Sequence, residues 1–158
     1  MTTSFMNEAL IEAKFSDDPS TQNGAVIVRE GRIIGRGNNN FPYGVIHTEE
    51  RWERPTKYKY VEHAERNAIY DAARMGQFTV GSEMYCVWSA CADCARGIAQ
   101  SGIDSLIRLE LPYEHWADSV GVGDIILKEA NVRVINMPLS EVDIPDLRFM
   151  GGQLSDYK

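Results

Sequence analysis

His63, Cys91 and Cys94 offer one imidazole and two thiols, a donor set that suits Zn²⁺. Cys91-Ala92-Asp93-Cys94 puts the two thiols one helical turn apart, so at a helix N-terminus both sulfurs face one side. There the helix dipole and free N–H groups favour the thiolate form that binds metal. Three protein ligands leave a fourth tetrahedral position for water, which is the pattern of a catalytic site. Glu65 follows His63 by two residues, so its carboxylate can lie beside such a metal without binding it. A carboxylate there can take a proton from bound water and hand it to a leaving group. Taken singly, the Cys-x-x-Cys fits a redox pair and the histidine a packed core residue. The redox reading leaves His63-Ala64-Glu65 unexplained.

The elements that must position these groups can be read from hydrophobic periodicity. Phe5, Met6, Ala9, Leu10 and Ala13 recur at helical spacing, and Asp17 to Ser20 form a turn. Gly24 to Arg29 and Arg32 to Arg36 are β-branched runs around Glu30-Gly31, which predicts a hairpin. Gly37 to about Tyr60 is expected to be a long irregular segment, a loop length that is usually functional or disordered. Val61 to Met75 reads as a helix ended by Gly76, and Cys91 to Ser101 as one closed by Gly102. Trp116 to Ala130 is a third helix, and Glu83 to Trp88, Asp104 to Leu109 and Val132 to Ile135 are strands. The residues after about 135 are expected to form an irregular tail. A hairpin followed by alternating helices and strands implies an α/β fold, a mixed sheet covered by helices on both faces.

The 158 residues are most simply one domain with a core over about residues 5 to 135. A net charge of −7 argues against a standing affinity for nucleic acid, though not against a local pocket for one phosphate. No apolar run approaches the roughly 20 residues that cross a bilayer, and the first fifteen residues lack the pattern of a signal peptide. Three cysteines, two at metal-ligand spacing, fit a reducing cytosol better than a disulfide framework, so a cytoplasmic location is expected.

Beyond single residues, the segments Asp18 to Val28 (DPSTQNGAVIV), Gly37 to Pro42 (GNNNFP), Lys57 to Ile69 (KYKYVEHAERNAI) and Cys91 to Ile103 (CADCARGIAQSGI) are similar to the zinc-dependent cytidine and deoxycytidylate deaminase family. The likeness spans roughly residues 15 to 135, and the first and third segments look most like the deoxycytidylate branch. It implies the cytidine deaminase-like three-layer α-β-α sandwich with a mixed five-stranded sheet, and one Zn²⁺ per chain on His63, Cys91 and Cys94. It also implies that Glu65 moves the proton to ring N3 and then to the departing amine. By the same resemblance, the Ala64 N–H meets the base carbonyl, the Ser89 carbonyl accepts from the amine, and Asn39 contacts the sugar. A one-residue slip to Asn38 or Asn40 stays open, as does a plain turn-forming role.

Several positions depart from the family pattern. Ala90 stands where proline usually precedes the first thiolate, with no ligand lost. Asn23 replaces a small apolar residue near the base and could touch base, sugar or only its own loop. Trp88 resembles a tryptophan of polynucleotide-acting deaminases but suits packing in an alternating strand. The insert before the histidine motif offers His47 but no cysteine for a second zinc, and Cys86 suits a buried strand position.

A nucleotide substrate needs cations some distance from the metal. Arg51, Arg54, Lys57 and Lys59 are candidates, as is Tyr113 at a strand end, although such charges also keep loops soluble. The favoured expectation is a small-molecule substrate, dCMP, turned over by a homo-oligomer. The alternatives are free cytidine or deoxycytidine, a tRNA or DNA base, a riboflavin-precursor ring, and a zinc-stabilised binding module without catalysis. An unligated Glu65 argues against the last.

Overall fold

The computed structural model describes residues 2–158. Helix α1 (Thr2–Ala13) leads into an antiparallel hairpin of β1 (Gly24–Arg29) and β2 (Arg32–Asn38). Its turn residues Glu30 and Gly31 have φ of 52° and 73°, the two left-handed positions that a type I′ turn requires. Two short helices follow, α2 (Glu49–Trp52) and α3 (Lys57–Tyr60), and then α4 (Ala64–Arg74). The chain continues through β3 (Glu83–Cys86), α5 (Ala92–Gln100), β4 (Ser105–Leu109), α6 (Ala117–Glu129) and β5 (Arg133–Met137). β3 pairs antiparallel with β1, and β4 and β5 add in parallel, giving one mixed five-stranded sheet in the order β2-β1-β3-β4-β5.

The strand period of two sorts the core. Ala25, Ile27, Met84, Cys86 and Leu106 pack with α4, α5 and α6. Val26, Val28, Tyr85, Ile107 and Leu109 pack with α1 and the C-terminal segment. Helices thus cover both faces, as the α-β-α sandwich expectation holds. The alanine stripe of α4 is spent on the sheet: a Cβ on Gly37 would lie 2.3 Å from the Ala64 carbonyl oxygen, so the glycine lets helix and strand touch.

Three expectations are corrected. α4 begins at Ala64, not Val61, because Asn40 and Glu62 exchange backbone hydrogen bonds of 3.2 and 2.8 Å that keep the preceding residues extended. The segment 37–60 is built, not irregular: Phe41 stacks on Trp52 at 4.1 Å with His47 and Tyr60 alongside, and α2 and α3 lie within it. The C-terminal segment is also built. It forms a small hairpin, β6 (Arg148–Phe149) with β7 (Gly152–Gln153), and buries Leu147, Phe149 and Leu154 in the α1 face of the core. The core therefore extends well past residue 135.

Candidate active site

The two metal-ligand motifs meet because α4 and α5 start at the same place. His63 and Cys91 are the N-cap residues, both in extended conformation, and Cys94 lies one turn into α5. The His63 Nδ1 is 3.5 Å from each sulfur, and the three ligand atoms lie within 4.8 Å of one another. A tetrahedral zinc with bonds of about 2.0 Å to nitrogen and 2.3 Å to sulfur needs an N···S separation of about 3.5 Å, so the donor set fits the ion. Ala90, in place of the family proline, is fully buried and the ligands still converge.

Partners around the ligands hold them in place. Arg66, anchored to Glu62, donates to the Cys94 sulfur at 3.2 Å. Ser119 of α6 accepts from the first free N–H of α5, that of Ala92, at 3.0 Å. A Cβ on Gly123 of α6 would lie 2.8 Å from the Ala90 carbonyl oxygen, so glycine is what permits this approach. Hydrogen bonding from Cys94, then the pairing with His63, pulls the Cys91 thiol down to about 3 despite burial. Burial pushes Cys94 far up. Burial also opposes a charge on His63, but the hydrogen bond to Cys91 and the Glu65 and Cys91 charges outweigh it and raise its pKa.

Glu65, in the first turn of α4, is 1% exposed, and its Oε2 has no hydrogen-bond partner among the described residues. A native fold rarely leaves a buried carboxylate oxygen unsatisfied unless a ligand or catalytic role claims it. Burial is the main reason its carboxyl is pushed above the ordinary range, and the His63 charge opposes that.

His63, Glu65 and Cys91 line an inner cavity together with Asn23, Asn39, Ser89 and Trp116. A second, outer chamber adjoins it, sharing the wall residues Thr21, Arg54, Tyr58, Trp88 and Trp116. The outer chamber adds Ser20, His115 and the turn Met150-Gly151, and it has no carboxylate in its wall.

The region of residues 1–110 matches the family model described as the cytidine and deoxycytidylate deaminase zinc-binding region. The chain belongs to that family. It is similar to an uncharacterised deaminase of Aliivibrio fischeri, 34% identical over 138 residues that cover 85% of this chain and 92% of that one. It is also similar to the human deoxycytidylate deaminase, 36% identical over 135 residues covering 81% and 74% respectively. Among solved structures, the dCMP deaminase of cyanophage S-TIM5 in complex with dCMP and dUMP superposes with a TM-score of 0.71. That pair is 28% identical over 85% of this chain and 94% of the phage chain. Membership settles the fold class, the deaminase activity and the zinc requirement.

Within this deaminase site the asparagine run resolves cleanly. Asn39 lines the inner cavity, whereas Asn38 bonds Glu12 at 2.8 Å and Asn40 bonds Asp17 at 3.3 Å outside it. The Ala64 N–H, expected to meet the base carbonyl, is held at 2.9 Å by Asn39 Oδ1, so the two residues act as one unit. Asn23 is buried, accepts from the Trp88 N–H at 3.1 Å and lies 3.6 Å from the Cys86 sulfur. Its side chain therefore fixes the end of β3 as well as lining the cavity. Trp88 lines both chambers, and its packing reading holds, since its indole donates to the Pro112 carbonyl at 2.9 Å and stands edge-on to Phe149.

The cation expectations are mostly redistributed. Arg51 bonds the Ile46 carbonyl and sits over the Tyr60 ring, and Lys59 and Tyr113 line neither chamber. Lys57 is buried against Asp18, with Nζ 2.9 Å from both carboxylate oxygens. Arg54 alone of the four reaches the outer chamber. His115 and Trp116 escaped sequence reasoning because only the tight turn before α6 swings them to the cavity. Among the described residues no helix is long and apolar enough to cross a membrane.

Proposed function

We propose that this deaminase converts dCMP to dUMP and ammonia. The observation that carries the reading is the pair of adjoining chambers: an unpartnered, buried Glu65 beside the metal ligands, and a carboxylate-free outer space bearing Arg54 and His115. His63, Cys91 and Cys94 would hold the zinc, which would supply a Lewis acid able to lower the pKa of a bound water toward about 7. Glu65 would carry two protons in turn: the first from the water to ring N3, and the second from the new C4 hydroxyl to the amine, which leaves as ammonia as the C4 carbonyl forms. The Ser89 carbonyl accepts from that amine. Asn39 holds the Ala64 N–H, and its Nδ2, which donates one hydrogen to the Thr21 carbonyl at 3.5 Å, keeps the other for the sugar. Trp116, edge-on to the His63 ring at 5.8 Å, and Tyr58 wall the cavity against water. Arg54, one of the cations expected there, has its Nη2 3.3 Å from Ser20 Oγ, and with His115 it meets the 5′-phosphate.

The relatives by sequence that carry the deoxycytidylate name support the same substrate. The net charge of −7 supports a small molecule over a polynucleotide. We further infer a cytoplasmic homo-oligomer in pyrimidine nucleotide metabolism. The exposed Tyr70, Met75, Phe78 and Val80, at and beyond the end of α4, support a subunit contact that light scattering tests. Ammonia release across cytosine, deoxycytidine, CMP, dCMP, dCTP and a guanine panel tests the substrate. The expected preference is dCMP, and equal turnover of deoxycytidine would overturn it.

A further inference from the structure

We propose that Lys57, aimed by Asp18, is the residue that reads the 3′-hydroxyl of the substrate sugar. The proposal rests on the dCMP reading above. Both residues line the inner cavity beside Asn39, and neither lines the outer chamber. Lys57 and Asp18 side chains are 8% and 2% exposed, so this is a buried ion pair. Two of the ammonium hydrogens go to Asp18 Oδ1 and Oδ2, both at 2.9 Å. A third has no partner among the described residues. Asp18 Oδ1 also accepts from the N–H groups of Ser20 and Thr21, at 2.9 and 3.2 Å, so the carboxylate is locked in orientation. Ser16 Oγ bridges the pair to the backbone just past β2, accepting from the Asp18 N–H and donating to the Asn39 carbonyl.

A buried pair of this kind adds little net stability over apolar side chains of the same size. Its value on a cavity wall is recognition. A phosphate at this point would meet the Asp18 carboxylate as well as Lys57 and be repelled. A neutral hydroxyl accepts the spare ammonium hydrogen and donates to Asp18 Oδ2, which otherwise holds only Lys57. In a deoxyribonucleotide whose phosphate occupies the outer chamber, the 3′-hydroxyl is the free hydroxyl that remains. Lys57 is then a substrate-binding residue and Asp18 a positioning residue.

The test compares kcat/KM for dCMP and for 2′,3′-dideoxycytidine 5′-monophosphate in the zinc-loaded enzyme. The parent is expected to lose on the order of 10–100-fold when the hydroxyl is removed, the scale of a charge-assisted hydrogen bond. In Lys57→Met the same comparison is expected to shrink toward unity, because dCMP falls to the level of the dideoxy compound. Asp18→Asn/Lys57→Met keeps an acceptor for the Ser20 and Thr21 N–H groups and leaves no unpaired buried charge, so it answers the question if the single variant fails to fold. Zinc content and melting temperature report folding in both. An undiminished hydroxyl penalty in the variants overturns the role of Lys57. So does a variant whose discrimination between dCMP and deoxycytidine collapses while the hydroxyl penalty stays. A parent enzyme that releases no ammonia from dCMP takes down the substrate reading itself, and this proposal with it.

Discussion

The inner and outer ends of the cavity are built by opposite means. The metal end comes from two short motifs, each with its spacing fixed by one helix start, so His63, Cys91 and Cys94 converge as soon as α4 and α5 lie side by side. The substrate end is assembled from the 18–23 loop, the insert, the turn before α6 and the C-terminal hairpin. At the metal end Cys91 and Cys94 are buried and each ligand sits at a helix start or one turn in, so its chemistry follows from donor types. The substrate end derives its selectivity from which distant charges reach the wall. A family can therefore keep one reaction while its substrates vary.

Replacing a ligand should break the comparison most completely. Cys94→Ala is expected to reduce bound zinc to near zero and deamination to background, read by metal analysis alongside ammonia release. Glu65→Gln should spare the metal and cut kcat by about 10³–10⁴-fold, at the upper end for lost general acid–base catalysis. Retained zinc with unchanged kcat would mean that the unpartnered carboxylate has another purpose.

At the substrate end the effect should be smaller and fall on binding. Arg54→Ala is expected to raise KM for dCMP by about 10–100-fold with kcat nearly constant and deoxycytidine turnover unaffected. An equal loss for both substrates would remove the phosphate from the outer chamber.

The smallest effect is thermodynamic. Because the folded-state pKa of Glu65 is raised, its stability contribution is present below the unfolded carboxyl pKa and lost as pH rises through the folded value. Zinc-free Glu65→Gln should therefore melt a few degrees higher than zinc-free parent, by about 2–4 °C per kcal/mol, with the gain larger at pH 8 than at pH 5. A gain of the same size at both pH values would show that burial of charge is not its source.

What was legible tracked the range of the interactions. Apolar, β-branched runs around Glu30-Gly31 predicted the hairpin, and Gly76 and Gly102 predicted the ends of α4 and α5, because those signals are local. The 37–60 segment was read as irregular because Phe41, His47, Trp52 and Tyr60 have no period and become a cluster only in three dimensions. The C-terminal segment hid for the same reason. Its strands are two residues long, and Arg148 is placed by the Asp18 carbonyl at 3.1 Å and Gln22 at 3.0 Å, far away in sequence. The sequence makes Lys57 a loop cation for a phosphate or for solubility, since nothing near it in the chain announces Asp18.

The sequence by itself determined the zinc site and its proton carrier, because ligand types, one-turn spacing and an adjacent carboxylate are properties of a few neighbouring residues. That an amine is removed is what the family resemblance of its motifs implies. Tertiary structure alone decided which asparagine faces the cavity, which cation is buried in a pair and which is free for a phosphate, and that the C-terminal turn forms part of the wall. Those outcomes depend on distances between residues up to about 130 positions apart. Only the packed sheet and its helices fix such distances.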